Sequence, residues 1–414
     1  MTAGRLPLVL ARVAAAALAA GCLGLLLWRG LDHPVVALAF GVLIAVGELA
    51  RWSDGGEREP APLGAAAALS YALLGQYAGQ PAHHGVEQVV TVVLAATLAG
   101  CVPHAARGHG STADHLTRRL LTVAFAAVCF QPIYEHGRLH GWGGPTYDLL
   151  VVALLVLTTL CDAVLAAALA HFRTRWPFGP LLRDELRATL GIGSAVCATG
   201  AVMSLAVAVV GLWALPVFSL PLLLTQLSYR RYAAVRTTYR QTITSLARAT
   251  EIAGYTPAGH ARRVAALSKA VGRELGLSEP ELTVLEYAAL MHDIGQLSLV
   301  DPVPAGATAS LPAEEQRRIA LLGGAVVRQT GVDAEVAVVV ERQADLYREQ
   351  PVNARIVRTV NAYEEMAREE TGPGGPLSAL ERLRLACARD YQPEVVESLA
   401  RVLQRDGLTL ALAG

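Results

Sequence analysis

Two histidines follow residue 171 in this chain of 414 residues, His260 and His292, and the second is followed at once by Asp293. Neutral imidazole and carboxylate together are ligands that suit Fe, Mn, Zn or a similar divalent ion. His260 opens a helix-like run in which Val264, Leu267, Val271 and Leu275 form an inward stripe, and Gly276 then supplies a stop. A second helix is predicted to start near Ser278, with Glu281 placed for a capping box and Pro280 in its first turn. Its inward positions Leu282, Leu285 and Ala288 or Ala289 lead at the same spacing to His292, which therefore lies on the buried face beside Asp293. Two readings stand at this point, a metal-ligand set and a hydrogen-bonded polar trio of the core.

The surroundings are more specific than the His-Asp pair alone. The segments Gly259-His260-Ala261-Arg262-Arg263-Val264, Ala288 to Gly295, Ala354-Arg355-Ile356-Val357, Pro376-Leu377-Ser378 and Gln392-Pro393-Glu394-Val395-Val396 occur in that order. On these residues the sequence from about Ile243 to Arg405 resembles the HD superfamily of metal-dependent phosphohydrolases, and within it the HD-GYP branch associated with cyclic di-GMP hydrolysis. The resemblance implies an all-helical domain in which histidines and aspartates hold divalent metal. It makes His260, His292 and Asp293 metal ligands, Asp293 the catalytic carboxylate, and Asn361 a weak amide-oxygen ligand where the family has Asp. The chemistry so implied is attack of activated water on phosphorus, with the metal offsetting phosphoryl charge. Arg262, Arg263, Arg355 and Arg358 are the candidates for phosphate binding.

Other positions depart from the family pattern. Its His-Pro falls on Ala320-Leu321, and its later His-His pair falls on Val339-Val340, ahead of Glu341. The Gly-Tyr-Pro loop is missing from Asp345 to Val352, and Gln296 stands where a lysine usually follows His-Asp-x-Gly. Alanine and valine cannot bind a metal, so a two- or three-metal centre is not expected, and at most one Fe, Mn or Zn ion is.

The elements that must carry this site sit behind a very different half of the chain. The composition is 53% hydrophobic, 6% aromatic and balanced at 35 basic against 35 acidic residues, with a mean hydropathy of +0.40. This excludes a disordered chain, a nucleic-acid binder driven by net charge and a disulfide-stapled miniprotein. Apolar stretches near residues 8–28, 35–50, 63–79, 88–104, 119–134, 147–170, 189–210 and 213–228 predict a membrane domain of about eight helices over residues 1–228. Arg5, Arg12, Arg51, Arg58, Arg107, Arg118, Arg119, Arg173, Arg175, Arg183 and Arg187 fall at the start or on alternate connections. By the positive-inside rule, both termini are then cytoplasmic, in a multi-pass protein of a bacterial-type plasma membrane. The first span lacks a small-residue cleavage site, so a cleaved leader is not expected. The opposite connections hold His33, His83, His84, His136, His140 and Glu135, while Asp162 lies within the sixth span and is read either as a functional carboxylate or as a hydrogen-bonded link between helices.

Residues 229–256 read as a polar connector helix with Tyr232, Val235, Tyr239, Ile243, Leu246 and Ala249 on one stripe. That stripe suits either a homodimer seam or packing against the chain's own C-terminal domain. The expected architecture is all-α: a polytopic helical membrane domain, the connector, and an HD-type domain over residues 257–410. Two functions follow. In the favoured one, a degenerate domain acts without catalysis, through a nucleotide or a cytoplasmic signalling protein. In the other, a single-metal phosphohydrolase remains active. The lipid bilayer is the expected surrounding, and no nucleic-acid partner is.

Overall fold

Long runs of Ala, Leu and Val without internal charge become helices in the first half of the chain, because only a helix satisfies its own backbone in an apolar medium. The computed structural model describes residues 6–51, 61–106, 112–137, 144–301, 303, 306–369 and 374–406, which form two compact units, Met1–Val235 and Arg236–Gly414. The chain is all-helical apart from one two-residue β-ladder, Gln76–Tyr77 with Gln80–Pro81, and an isolated bridge between Cys387 and Tyr391.

The first unit contains α1 (Leu6–Arg29), α2 (Pro34–Leu49), α3 (Pro62–Ala72), α4 (Gly85–Ala106), α5 (Thr112–Glu135), α6 (Gly144–Thr174), α7 (Phe178–Ala188) and α8 (Ser194–Val210), and α9 (Ala214–Ile252) begins in it. Among the described residues, five helical stretches are long and apolar enough to cross a membrane: 6–29, 85–104, 113–135, 149–174 and 194–252. The last joins α8 to α9 through a short 3₁₀ turn, where Gly211 supplies a positive φ of 73°. Pro216 follows in the first turn of α9.

Two of the expected spans, near residues 35–50 and 63–79, correspond to α2 and α3. These have 16 and 11 residues, and α3 is buried along nearly its whole length, with Ala66, Ala67, Ala68 and Tyr71 inaccessible. Small residues permit this close packing: a Cβ on Gly47 would stand 2.3 Å from the backbone nitrogen of Gly64. Leu27, Leu38, Leu149 and Val209 point outward elsewhere, as a lipid-facing surface requires. Asp162 accepts a bidentate pair from Arg118 at 2.8 and 2.6 Å and a hydrogen bond from Thr122 at 3.0 Å, so it ties α6 to α5.

The second unit holds the end of α9 together with α10 (His260–Glu274), α11 (Glu279–Met291), α12 (Ala313–Gln329), α13 (Ala334–Arg342), α14 (Val352–Glu369), α15 (Gly375–Leu385) and α16 (Pro393–Asp406). One core joins Val264 and Val271 of α10, Leu285 and Ala288 of α11, Val340 of α13, Val360 of α14 and Leu399 of α16. Gly276 at φ +80° stops the chain after α10, and Ser278 with Glu281 closes the capping box of α11. The short 3₁₀ segment Ile294–Ser298 after α11 lies against α12 at two glycines: a Cβ on Gly295 would meet the Ile319 carbonyl oxygen at 2.1 Å.

The connector is part of one 39-residue helix, α9, so the boundary between units falls at Val235 and Arg236 within it. Its apolar stripe divides. Ile243 and Ala247 are buried in the C-terminal core and Leu246 packs against it, while Tyr232, Val235 and Tyr239 are exposed. Arg240 of α9 and Lys269 of α10 both reach Glu286 of α11, at 2.5 and 2.6 Å.

Two consequences are measurable. Gly295→Ala has no room for its methyl group and should destabilise the C-terminal unit by about 2 kcal/mol in a denaturant titration. Glu274 pairs with Arg401 and Arg405, both at 2.9 Å, and although burial opposes its ionisation these two guanidiniums hold its pKa below the ordinary value. A depressed carboxylate pKa adds stability that is present above the unfolded value and lost as pH falls through the folded one. The cost of Glu274→Gln, about 1 kcal/mol at pH 7, should therefore shrink as pH falls below the ordinary carboxylate range of about 4.

Candidate metal centre

Three segments far apart in the chain bring their polar side chains to one place inside the second unit. His260 is the first residue of α10, following Gly259 in the left-handed region at φ +74°. His292 caps the C-terminus of α11, Asp293 opens the 3₁₀ segment behind it, and Asn361 lies in the middle of α14. All four are buried, between 1% and 6% exposed.

One ligand atom from each of His260, His292 and Asp293 lies within 4.8 Å of the others. Asp293 Oδ2 is 3.5 Å from His260 Nε2 and 3.2 Å from His292 Nε2, yet none of these three buried atoms has a hydrogen-bond partner. The other ring nitrogens are committed. His260 Nδ1 is 2.6 Å from Glu364 Oε2, and His292 Nδ1 is 2.8 Å from the Ala289 carbonyl. An ionised carboxylate and a carbonyl only accept, so both Nδ1 atoms carry the proton, and the lone pair of each neutral imidazole is at Nε2. This arrangement orients a histidine for a metal, with the outer partner holding the tautomer. Glu364 is itself anchored by Arg263 Nε at 2.6 Å.

The electrostatics follow from burial and charge. Burial alone favours neutral imidazoles, but Asp293, with Glu364, outweighs it and pushes His260 up to about 10, while Asp293 raises His292. Burial likewise disfavours the Asp293 carboxylate, and the two imidazoles reverse this and hold its pKa far below the ordinary range. Burial and then His260 and Arg263 act on Glu364 in the same opposing way, leaving it at about 2. Protons and a divalent cation compete for the same lone pairs.

Asn361 donates from Nδ2 to Glu365 Oε1 at 2.9 Å, which leaves its buried Oδ1 with no hydrogen-bond partner. Thr308 lies 3.5 Å from Asp293 Oδ1 and 3.4 Å from Asn361 Nδ2, and the Ala309 N–H donates to Glu365 Oε2 at 3.0 Å. Burial, with Asp293 nearby, pushes Glu365 up to about 7. Two imidazoles and one carboxylate, all buried and with ligand atoms close together, could hold a divalent metal ion.

The arginines are distributed differently. Arg263 serves Glu364, Arg355 binds the carbonyls of Gln350 and Arg348 together with Gln392, and Arg358 binds the Asp345 carbonyl. Arg262 is exposed. Ala320, Val339 and Val340 are buried apolar residues of the unit, and Gln296 is fully buried. Sequence reasoning missed Glu364, Glu365 and Thr308. The two glutamates stand three and four residues after Asn361, on its side of α14, and that spacing was available to read. Nothing in the sequence marked Thr308, because it reaches the site from an irregular segment.

The model of the HD-domain family matches residues 258–366, which takes in His260, His292, Asp293 and Asn361. Residues 258–366 are an HD domain. A cyclic di-GMP phosphodiesterase from Thermotoga maritima is 24% identical over 160 residues, covering 34% of this chain and 44% of the relative. The chain thus spans less than half the length of that curated relative. No solved structure matches the chain significantly. HD domains bind divalent metals through a His/Asp set, and the HD domain here has such a set. A second trio among the described residues, Glu48, Cys101 and His115, lies outside it, with Glu48 already paired to Arg119 at 3.1 Å.

The Glu364 contact gives a direct expectation. Glu364→Ala removes the partner that holds the His260 tautomer and should weaken Mn²⁺ or Zn²⁺ binding about 10- to 100-fold in a calorimetric titration of the full-length protein, with helix content retained.

Proposed function

We propose that this protein is a membrane-anchored HD-type phosphohydrolase that works with one divalent metal, Fe, Mn or Zn, held by His260, His292 and Asp293 with Asn361 Oδ1 as a weak fourth donor. The observation that carries this reading is the set of three buried ligand atoms within 4.8 Å of one another and without hydrogen-bond partners. A bound ion supplies Lewis acidity at that point, lowering the pKa of water and offsetting charge on phosphoryl oxygens. The chain does the rest. Glu364 and the Ala289 carbonyl keep both Nε2 lone pairs directed at one locus, Asp293 contributes the negative charge, and Thr308, Asn361 and Glu365 form a polar wall beside it. Arg262, exposed and two residues after His260, is the arginine best available to a phosphate. A cyclic dinucleotide is the first substrate to test, since the Thermotoga relative is named for cyclic di-GMP.

The arrangement proposed for the whole chain places the apolar helices in a bacterial-type plasma membrane and the HD domain on the cytoplasmic side. Its support is the gathering of Arg12 near the start of α1, Arg51 after the end of α2, Arg118 and Arg119 near the start of α5, Arg173 at the end of α6 and Arg183 on α7. The exposed residues Tyr232, Val235 and Tyr239 of α9 suit a seam between two copies.

A second reading, a non-catalytic domain that binds a nucleotide or a cytoplasmic signalling protein, has its own support. Ala320, Val339 and Val340 are apolar where the HD-GYP branch has histidines, and Thr308 and Ala309 lie against the buried site. Full-length protein in detergent separates the two. The first reading expects about one equivalent of metal and cleavage of cyclic di-GMP to a linear product, both lost in His292→Ala. Tight metal or dinucleotide binding without any product would favour the second.

A further inference from the structure

Glu48 is the only ionisable side chain of α2, a helix of 16 residues, and it is fully buried. A carboxylate in such surroundings is costly unless it is paired or holds a cation. Glycines on two neighbouring helices leave space for it. A Cβ on Gly64 of α3 would stand 2.9 Å from Glu48 Oε1, and one on Gly100 of α4 would stand 2.5 Å from Glu48 Cβ. This close approach brings the next residue of α4, Cys101, to the same place, and His115 enters from near the start of α5.

One ligand atom from each of Glu48, Cys101 and His115 lies within 4.8 Å of the others. All three belong to the first unit, so the trio shares no residue with the HD domain and stands outside the function proposed for it. Cys101 is 2% exposed and the His115 side chain 16%. Glu48 Oε2 is 2.8 Å from His115 Nε2, and Arg119, one turn further along α5, holds Oε1 at 3.1 Å. An ion-pair network accounts for the carboxylate, the imidazole and the guanidinium. It does not call for a thiol converging on them from a third helix. Thiolate, imidazole and carboxylate together are a donor set of Zn²⁺, with bonds of roughly 2.0–2.3 Å. Arg119 orients the carboxylate through its second oxygen, as an outer partner does for a metal ligand. It and the buried Arg51 beyond the end of α2 also oppose a cation, so this site is weaker than the centre at His260, His292 and Asp293.

We infer that Glu48, Cys101 and His115 form a second metal site, one that binds Zn²⁺ and ties α2, α4 and α5 together. An incoming ion competes with the thiol proton of Cys101 and with the hydrogen between His115 and Glu48.

Co²⁺ is the probe, a spectroscopic substitute for Zn²⁺ titrated into full-length protein in detergent. A thiolate bound to cobalt gives a charge-transfer band in the near ultraviolet, to which the ligands of the HD-domain centre, lacking a cysteine, contribute nothing. The band is expected in the wild type and equally in His292→Ala, saturating at one cobalt per chain beyond any held by the HD domain. Failure of the function proposed for the HD domain would therefore not remove it. Cys101→Ser should abolish the band with helix content retained. His115→Ala should weaken cobalt binding at least tenfold, since losing a direct ligand costs no less than losing an outer partner. Cys387→Ser, in the second unit, should change nothing. No band in the wild type, a band that survives Cys101→Ser or disappears in Cys387→Ser or His292→Ala, or full affinity in His115→Ala would overturn the proposal.

Discussion

A carboxylate buried at the end of α11 has to be matched by positive charge or protons, and much of the second unit serves that requirement. Asp293 is 4% exposed, and an isolated ionised group there would be strongly unfavourable. His260 and His292 approach it from the start of α10 and the end of α11, and each is turned by a partner on its far side. The Gly295–Gly323 contact brings α12 against the backbone that carries Asp293, and α14 contributes both Asn361 and Glu364. Breaking any of these leaves a buried charge poorly compensated, which is why an arrangement of this kind persists only when it is nearly complete. The centre and the fold of the HD domain are one problem in packing and electrostatics. Ala320, Val339 and Val340 are buried apolar residues of the same unit and add no metal donors to it.

The first unit solves another problem with similar means. Its outward leucines and valines need an apolar surrounding, while several of its charges are neutralised between helices: Asp162 by Arg118, Glu48 by Arg119, and Asp114 by Arg12. Glycines at 47 and 64 let α2 and α3 approach until their backbones touch. Helix α9 is continuous from the apolar half into the polar half, and Glu286 pins its C-terminal part to α10 and α11 through Arg240 and Lys269.

Much of the site was legible because it is written locally. His260 does begin a helix, Ser278 and Glu281 do form the capping box, and the apolar spacing from Leu282 does carry His292 to the buried face. What escaped reading depends on contacts between distant segments. Glu364 is 104 residues from the histidine it orients, and Thr308 reaches the site from an irregular loop. The connector stripe was visible as a stripe, but its division between buried Ile243 and exposed Tyr232 depends on where the C-terminal core stops covering it. The count of spans was limited in another way. Hydropathy marks α2 and α3 as apolar without saying that α3 is short and enclosed by its neighbours.

The most direct test of the account is X-ray absorption at the metal K edge, recorded on full-length protein loaded with one equivalent of Zn²⁺ or Mn²⁺. The account predicts two imidazole ligands together with oxygen donors at roughly 2.0–2.2 Å, and loss of one imidazole signal in His260→Ala. An ion coordinated by oxygen alone, or a spectrum identical in wild type and His260→Ala, would contradict it.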